Sequence, residues 1–274
     1  MLILLKNIFK FWLDTKNVDG FRIDALKHLF ESKGFENEPM SRNNLNDILN
    51  AQVAYNDLNH IYSANQRETF EILSEWRSYC NLLGKKKNSV KALIVEATYS
   101  DVKEIRPYYV YNNKPAAHFP FNFQLTSIEK KADFKPTNLK ELINDFERSK
   151  PNAKCWSNWQ IGNHDCTRAA SRFGAENVDL ANTLNLLLGG TAIIYNGEEI
   201  GMEDLPKNVL KFEDSQDEFG KRHGPENFSK YSRDYQRSPM QWNSSKNAGF
   251  TKSDNNWLPI NPNYSYLNVQ VNKI

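Results

Sequence analysis

The sequence predicts an α/β fold built on parallel strands, and two observations carry the prediction. Short apolar runs, of which Ala92-Leu-Ile-Val95 is the clearest, stop abruptly at polar residues, which is how strands covered on both faces read. Between the runs lie amphipathic helical stretches, so strand and helix alternate along the chain.

The elements follow in order. Leu5, Ile8, Phe9, Trp12 and Leu13 recur at the spacing of one helical face, and Asp19-Gly20 ends that helix. Phe21–Ala25 is short enough to be a strand. A second helix from about Gln66 to Leu83 turns Phe70, Leu73, Trp76 and Cys80 inward. Ala92–Val95, Phe119–Phe123, Trp156–Ile161 and Ala192–Tyr195 are further strands, with helices at roughly Leu139–Arg148 and Val178–Leu188. From Gly201 to Pro262 the periodicity gives way to Asn-, Ser- and Pro-rich sequence expected to form long loops with little regular structure. These are five strands, and a closed eight-stranded barrel needs three more, which would precede Met1. The expected architecture is therefore a partial (β/α)8 TIM barrel, roughly strands 4 to 8. Residues 1–200 would hold the C-terminal part of the barrel, and 201–274 a long loop region after strand 8.

Composition narrows the function. A net charge of +2, with Lys and Arg spread along the chain, gives no electrostatic reason to propose a nucleic-acid partner. The apolar start, Met1–Leu5, is too short to span a membrane, so neither a signal nor an anchor is expected within this chain. Three cysteines, Cys80, Cys155 and Cys166, have no metal-like spacing and are expected as buried or partly buried thiols. Asn227-Phe-Ser, Asn243-Ser-Ser and Asn263-Tyr-Ser fit the N-glycosylation pattern and lean toward a secretory-pathway protein.

The chemistry concentrates at strand ends. Side chains alternate along Phe21-Arg22-Ile23-Asp24, so Arg22 and Asp24 share a face that must look onto a polar interior or cleft. An Arg beside a carboxylate keeps it ionised, as a nucleophile requires, although taken alone the two residues read first as a plain ion pair. Glu96 closes an apolar strand, where partial desolvation would raise its pKa and suit it to general acid catalysis; a lone Glu there is otherwise simply solvated. Asn163-His164-Asp165 ends another strand after a glycine, and by itself is also an ordinary polar loop start. Three carboxylates at the C-terminal ends of three parallel strands would converge on one pocket in a barrel. Paired carboxylates across a pocket are the apparatus of glycoside hydrolysis.

Gly20-Phe-Arg-Ile-Asp-Ala-Leu-Lys-His28 resembles the fourth-strand motif of the α-amylase superfamily, Val95-Glu-Ala97 its fifth and Asn163-His-Asp165 its seventh, in matching order and spacing. Phe119-Pro-Phe-Asn-Phe-Gln124, Tyr195-Asn-Gly-Glu-Glu-Ile-Gly-Met202, Arg237-Ser-Pro-Met-Gln-Trp242, Asn247-Ala-Gly-Phe250 and Trp257-Leu-Pro259 are similar to its α-glucosidase (maltase) branch. The resemblance implies Asp24 as nucleophile, Glu96 as general acid/base and Asp165 as the carboxylate that steadies the oxocarbenium-like transition state. It also implies that Arg22, Asn163, His164 and Arg237 bind substrate and that Ala25 influences linkage preference. The reaction implied is retaining hydrolysis of α-1,4-glucosidic bonds of maltose-type oligosaccharides or sucrose, without a cofactor. No metal is assigned, because the family's calcium-binding loop lies upstream of this segment.

The first-strand Asp and His of the superfamily and its C-terminal β-domain have no counterpart here, so the chain is expected to be a fragment. The alternative reading is a non-catalytic, glycosidase-like heavy chain of a heteromeric amino-acid transporter, which shares the barrel and several loops and would have a transporter light chain as partner. Either reading implies an extracellular or membrane-associated full-length protein.

Overall fold

The computed structural model describes residues 2–41, 55–99 and 101–271. The chain forms two compact units interleaved in sequence, Met1–Phe121 with Asp145–Trp156, and Asn122–Asn144 with Ser157–Ile274.

In the first unit, helix α1 (Leu2–Lys10) continues as a π-helical turn, Phe11–Thr15. The wider turn shifts the helical phase. Phe9 and Leu13 are buried, whereas Ile8 and Trp12, which a regular 3.6 period places on the same face, are 42% and 44% exposed. Strand β1 (Gly20–Ile23) follows, then helix α2 (Arg67–Lys87) and strand β2 (Ala92–Val95). Helix α2 extends four residues beyond its sequence-predicted end, through Gly84 and three lysines. Lysines suit the partial negative charge of a helix C-terminus, and Asn88 stops the helix by adopting the left-handed conformation (φ 49°).

After the short helix α3 (Arg106–Tyr109), strands β3 (Val110–Tyr111) and β4 (Lys114–Pro115) form an antiparallel hairpin that the apolar pattern does not reveal. Its signal is in the turn: Asn112 and Asn113 both take positive φ, as a two-residue hairpin loop requires. Strand β5 (Phe119–Pro120) completes a parallel sheet in the order β1-β2-β5. Phe9, Leu13, Phe70, Leu73, Trp76 and Cys80 pack beneath it with Leu93 and Val95.

Helix α4 (Pro136–Ser149) contains residues of both units. The second unit contains strand β6 (Asn158–Gln160), helix α5 (Ala169–Phe173), helix α6 (Val178–Leu187) and strand β7 (Thr191–Ile193), with β6 and β7 parallel. Beyond Ile200 the chain runs as loops with short helices, including α7 (Glu218–Lys221) and α8 (Phe228–Tyr231). Leu205, Leu210, Phe228, Tyr235 and Leu258 form a core of their own beneath these loops.

The five parallel strands expected from sequence are present in one sheet of three and another of two, Ala92–Val95 at its expected bounds and the other four shortened; among the described residues no closed barrel forms. The apolar runs Phe119–Phe123, Trp156–Ile161 and Ala192–Tyr195 each outlast the strand within them. At β5 and β6 the physical reason is visible. Pro120 has no N–H to offer, and just beyond it Asn122 donates its backbone N–H to the Asn158 side chain (2.9 Å) and its own amide to the Asn158 carbonyl (3.0 Å). Side chains thus satisfy backbone groups that a longer ladder would have used. Trp156 is 56% exposed and lies outside the strand. All three cysteines are free thiols. Of the three Asn-X-Ser triplets, Asn227 is exposed, whereas Asn263 is buried and hydrogen-bonded to Glu203 and Gln241. No described helix is long and apolar enough to cross a membrane.

The entry to β1 depends on a residue without a side chain. A Cβ at Gly20 would lie 2.3 Å from the Ala92 carbonyl oxygen across the β1–β2 ladder. Gly20→Ala is expected to destabilise the intact protein by about 1–3 kcal/mol, measured by denaturant unfolding, because every atom the new Cβ meets belongs to the Ala92 backbone and cannot swing aside. An unchanged unfolding midpoint would contradict this packing.

Candidate active site

The β1–β2 register aligns Ile23 with Val95, so the next residues, Asp24 and Glu96, leave the sheet side by side. Two backbone hydrogen bonds fix that exit: Glu96 N–H donates to the Ile23 carbonyl (2.8 Å) and Leu26 N–H to the Glu96 carbonyl (3.0 Å). Between them Ala25 is held in the left-handed region (φ 44°, ψ 36°), a strained conformation for a residue with a Cβ. Strain held at this one residue marks a position that the surrounding bonds over-determine.

Arg22 lies between the two acids. Its Nη1 donates to Asp24 Oδ1 and its Nη2 to Glu96 Oε2, and its guanidinium sits over the Phe121 ring at 5.7 Å. The two carboxylates differ in surroundings: the Glu96 side chain is 16% exposed and that of Asp24 72%. Desolvation pushes the Glu96 carboxyl up to about 7, helped by a hydrogen bond with Asp24 and by its charge; Arg22 and the Ala25 N–H work in the opposite direction. A neutral Glu96 beside an ionisable Asp24 is an acid and a carboxylate held by one cation, the division of labour that paired-carboxylate chemistry uses. Lys27, just beyond Asp24 in the chain, is half-buried and its pKa is lowered by that burial, against the pull of Glu104 and Glu96.

The second unit holds the other sequence-predicted residues. Asn163 Oδ1 accepts from the Asp165 N–H (2.9 Å), a local turn in the loop that follows β6. Arg237 donates through Nε to the His164 carbonyl (2.8 Å) and through Nη2 to Asp165 Oδ1 (2.7 Å). His164 Nε2 stands 3.3 Å from Asp165 Oδ2. The structure thus groups Arg22, Asp24, Ala25 and Glu96 within one unit, and Asn163, His164, Asp165 and Arg237 within the other.

Two residues that sequence reasoning did not single out belong to the second group. Arg233 donates through Nη1 to the same Asp165 Oδ1 (2.9 Å), and its other edge is clasped by Asp217. Burial opposes ionisation of Asp217, but hydrogen bonds from the Arg233 side chain and backbone outweigh it and hold the carboxyl down at about 2. The signal available in the sequence is proximity: Arg233 precedes Arg237 by four residues, a separation that two long arginine side chains can span to one partner. Asp217 lies among long loops without periodicity and offers no such signal. No group of three or more His, Cys, Asp or Glu arranged to hold a metal occurs among the described residues.

Parallel strands whose ends bring two carboxyl groups together across an arginine give an arrangement that paired-carboxylate chemistry can use. The model of the α-amylase catalytic domain matches residues 4–273, and the chain belongs to that family, whose catalytic domain is a (β/α)8 barrel. Maltase A1 of Drosophila melanogaster is 36% identical over 271 residues, and a salivary alpha-glucosidase of Aedes aegypti 38% over 275; each match covers 97% of this chain and 45% of the relative. The amino acid transporter heavy chain SLC3A1 of Rattus norvegicus is 32% identical over 269 residues, covering 98% of this chain and 36% of its own length. The solved structure of an alpha-glucosyl transfer enzyme, XgtA, superposes with a TM-score of 0.79 at 25% identity over 98% of this chain and 48% of that one. The chain therefore spans less than half the length of the curated relatives it matches.

Glu96 carries a pH signature. Its carboxyl rises from an ordinary 4.5 to about 7 on folding, so the folded protein binds the proton more tightly than the unfolded chain, and stability falls as pH rises across that window. Glu96→Gln is expected to flatten the stability curve between about pH 4.5 and 7 relative to wild type, as read by thermal melting. Parallel curves for the two proteins would mean that Glu96 titrates normally.

Proposed function

We propose that this chain carries the nucleophile and the acid/base of a retaining α-glucosidase acting on α-1,4 bonds of maltose-type oligosaccharides or sucrose. The observation that carries the proposal is the Arg22 bridge between two carboxyl groups of adjacent strand ends, one of them raised to about 7. In the first step the Asp24 carboxylate attacks the anomeric carbon while the Glu96 carboxyl gives its proton to the departing glycosidic oxygen. A glucosyl ester on Asp24 results. In the second, Glu96, now ionised, takes a proton from water, whose oxygen displaces Asp24 and releases glucose. Arg22 keeps Asp24 anionic and steadies the charge that Glu96 acquires. Asp165 takes the family role of steadying the oxocarbenium-like transition state, with His164, Asn163 and Arg237 as sugar-binding groups. We place the segment at strands 4 to 8 of the barrel, in a protein that is extracellular or membrane-associated when intact.

A heavy-chain reading draws on the likeness to SLC3A1. Against it stands the full set Asp24, Glu96, Asn163, His164 and Asp165, which a non-catalytic subunit has no chemical reason to keep.

Hydrolysis by the intact protein decides between the two. Asp24→Asn, which preserves shape but removes the attacking charge, is expected to abolish turnover of maltose. Glu96→Gln is expected to slow maltose far more than an activated aryl α-glucoside, since only the poorer leaving group needs a proton, and the glucose first released should be the α-anomer by proton NMR. Equal losses on both substrates, or initial β-glucose, would remove the assigned roles.

A further inference from the structure

Arg233 could make a simple surface ion pair, but its surroundings are those of a built support. Asp217, whose side chain is 2% exposed, accepts from Arg233 Nη2 through Oδ1 (2.7 Å) and from Arg233 Nε (3.1 Å) and backbone N–H (2.7 Å) through Oδ2. A carboxylate that takes one whole edge of a guanidinium fixes its plane, which leaves Nη1 as the group directed at Asp165. The Phe219 ring lies 5.6 Å from the guanidinium centre.

Asp217 is itself held. The next residue after Arg233, Asp234, is 1% exposed, and its Oδ2 accepts from the Ser215 hydroxyl (2.7 Å) and from the backbone N–H groups of Gln216 (2.7 Å) and Asp217 (3.0 Å). Two adjacent residues therefore grip the 215–217 turn from both sides: Asp234 holds its backbone and Arg233 holds its carboxylate. A chain of charge-assisted bonds runs from this buried turn to the exposed Asp165.

The consequence at Asp165 is an asymmetry between its oxygens. Oδ1 accepts from both Arg233 and Arg237, whereas Oδ2 lies 3.3 Å from His164 Nε2. Two arginines balance the two aspartates, Asp165 and Asp217, in charge. Arg237 alone approaches from one side and also serves the His164 carbonyl, so it does not by itself fix the carboxylate plane.

We propose that Asp217 and Arg233 act as one positioning unit that sets the orientation of Asp165 for the sugar in the reacting subsite. The inference rests on the α-glucosidase reading given above and adds residues to it. Arg233 does not contact the reacting atoms; it acts through Asp165. A lysine at 233 keeps the charge but cannot span two carboxylates with a rigid fork, and an asparagine at 217 keeps the shape but loses the charge that orients the guanidinium.

The test is a double-mutant cycle in the intact protein, reading kcat and KM on maltose together with melting temperature. Arg233→Lys and Asp217→Asn are each expected to lower kcat by between about tenfold and a hundredfold, because a small misplacement of a positioned group costs rate. The double variant should lose no more than the worse single variant. Should the Asp217→Asn variant fold poorly, Arg233→Ala supplies the second reading: low concentrations of guanidinium ion are expected to restore kcat without changing the melting temperature. Wild-type hydrolysis with undiminished single variants, or multiplying losses in the double variant, would overturn the positioning unit and leave the α-glucosidase reading intact. A wild-type protein that hydrolyses no α-glucoside would overturn both.

Discussion

The guanidinium of Arg22, shared by Asp24 and Glu96 at the ends of two neighbouring parallel strands, is the interaction around which the first unit is arranged. Two acids this close repel when both are ionised, and desolvation of Glu96 adds to the cost. Arg22 offsets part of that repulsion, while desolvation and the neighbouring Asp24, against the pull of the cation, let Glu96 hold its proton near neutrality. For the bridge to form, Arg22 and Asp24 must share a face of β1, Glu96 must follow β2 at the same level, and the two strands must approach closely. Alternation supplies the first condition, the Ile23–Val95 register the second, and Gly20 against the Ala92 carbonyl the third. The left-handed Ala25 then turns the chain back so that Leu26 can bond the Glu96 carbonyl and enter the core.

The second unit solves a different problem by similar means. Asp165 stands in the loop that follows a short strand, among segments with little regular secondary structure, so its environment is assembled from side chains. Buried polar groups there make several bonds each: Asp234 and Asp217 bind loop N–H groups, and Arg172 donates to the carbonyls of Ile128, Ile161 and Thr167. Such a network is costly when any partner is missing and rigid when all are present. Glu198 is an exception. It is 4% exposed, burial raises its carboxyl to about 7, its Oε1 has no hydrogen-bond partner among the described residues, and that oxygen lies 2.3 Å from where a Cβ on Gly162 would stand.

Parallel α/β character was legible because it depends on periodicity, a property of neighbouring residues. Ala92–Val95 reads as a strand since nothing in it is polar, and α2 reads as a helix since Phe70, Leu73, Trp76 and Cys80 fall on one face. The pairing of Arg22 with Asp24 was legible for the same reason. What escaped depends on contacts distant in sequence. The π turn that rotates Trp12 outward, the Asn122–Asn158 bonds that shorten β5 and β6, and the grip of Asp217 on Arg233 leave no periodic trace. The β3–β4 hairpin lies between these cases, announced by Asn112-Asn113 but too short for an apolar pattern.

If Asp24 bears the nucleophilic oxygen and Glu96 is its proton partner, the covalent intermediate can be caught. Incubating the intact protein with 5-fluoro-α-glucosyl fluoride, whose leaving group departs without a proton and whose ring fluorine slows the second step, should trap the glucosyl ester. Peptide mass spectrometry is expected to find the sugar on the peptide holding Asp24, and on no peptide in Asp24→Asn. A protein that turns over maltose yet carries the label on Glu96 or Asp165, or carries none, would contradict the account.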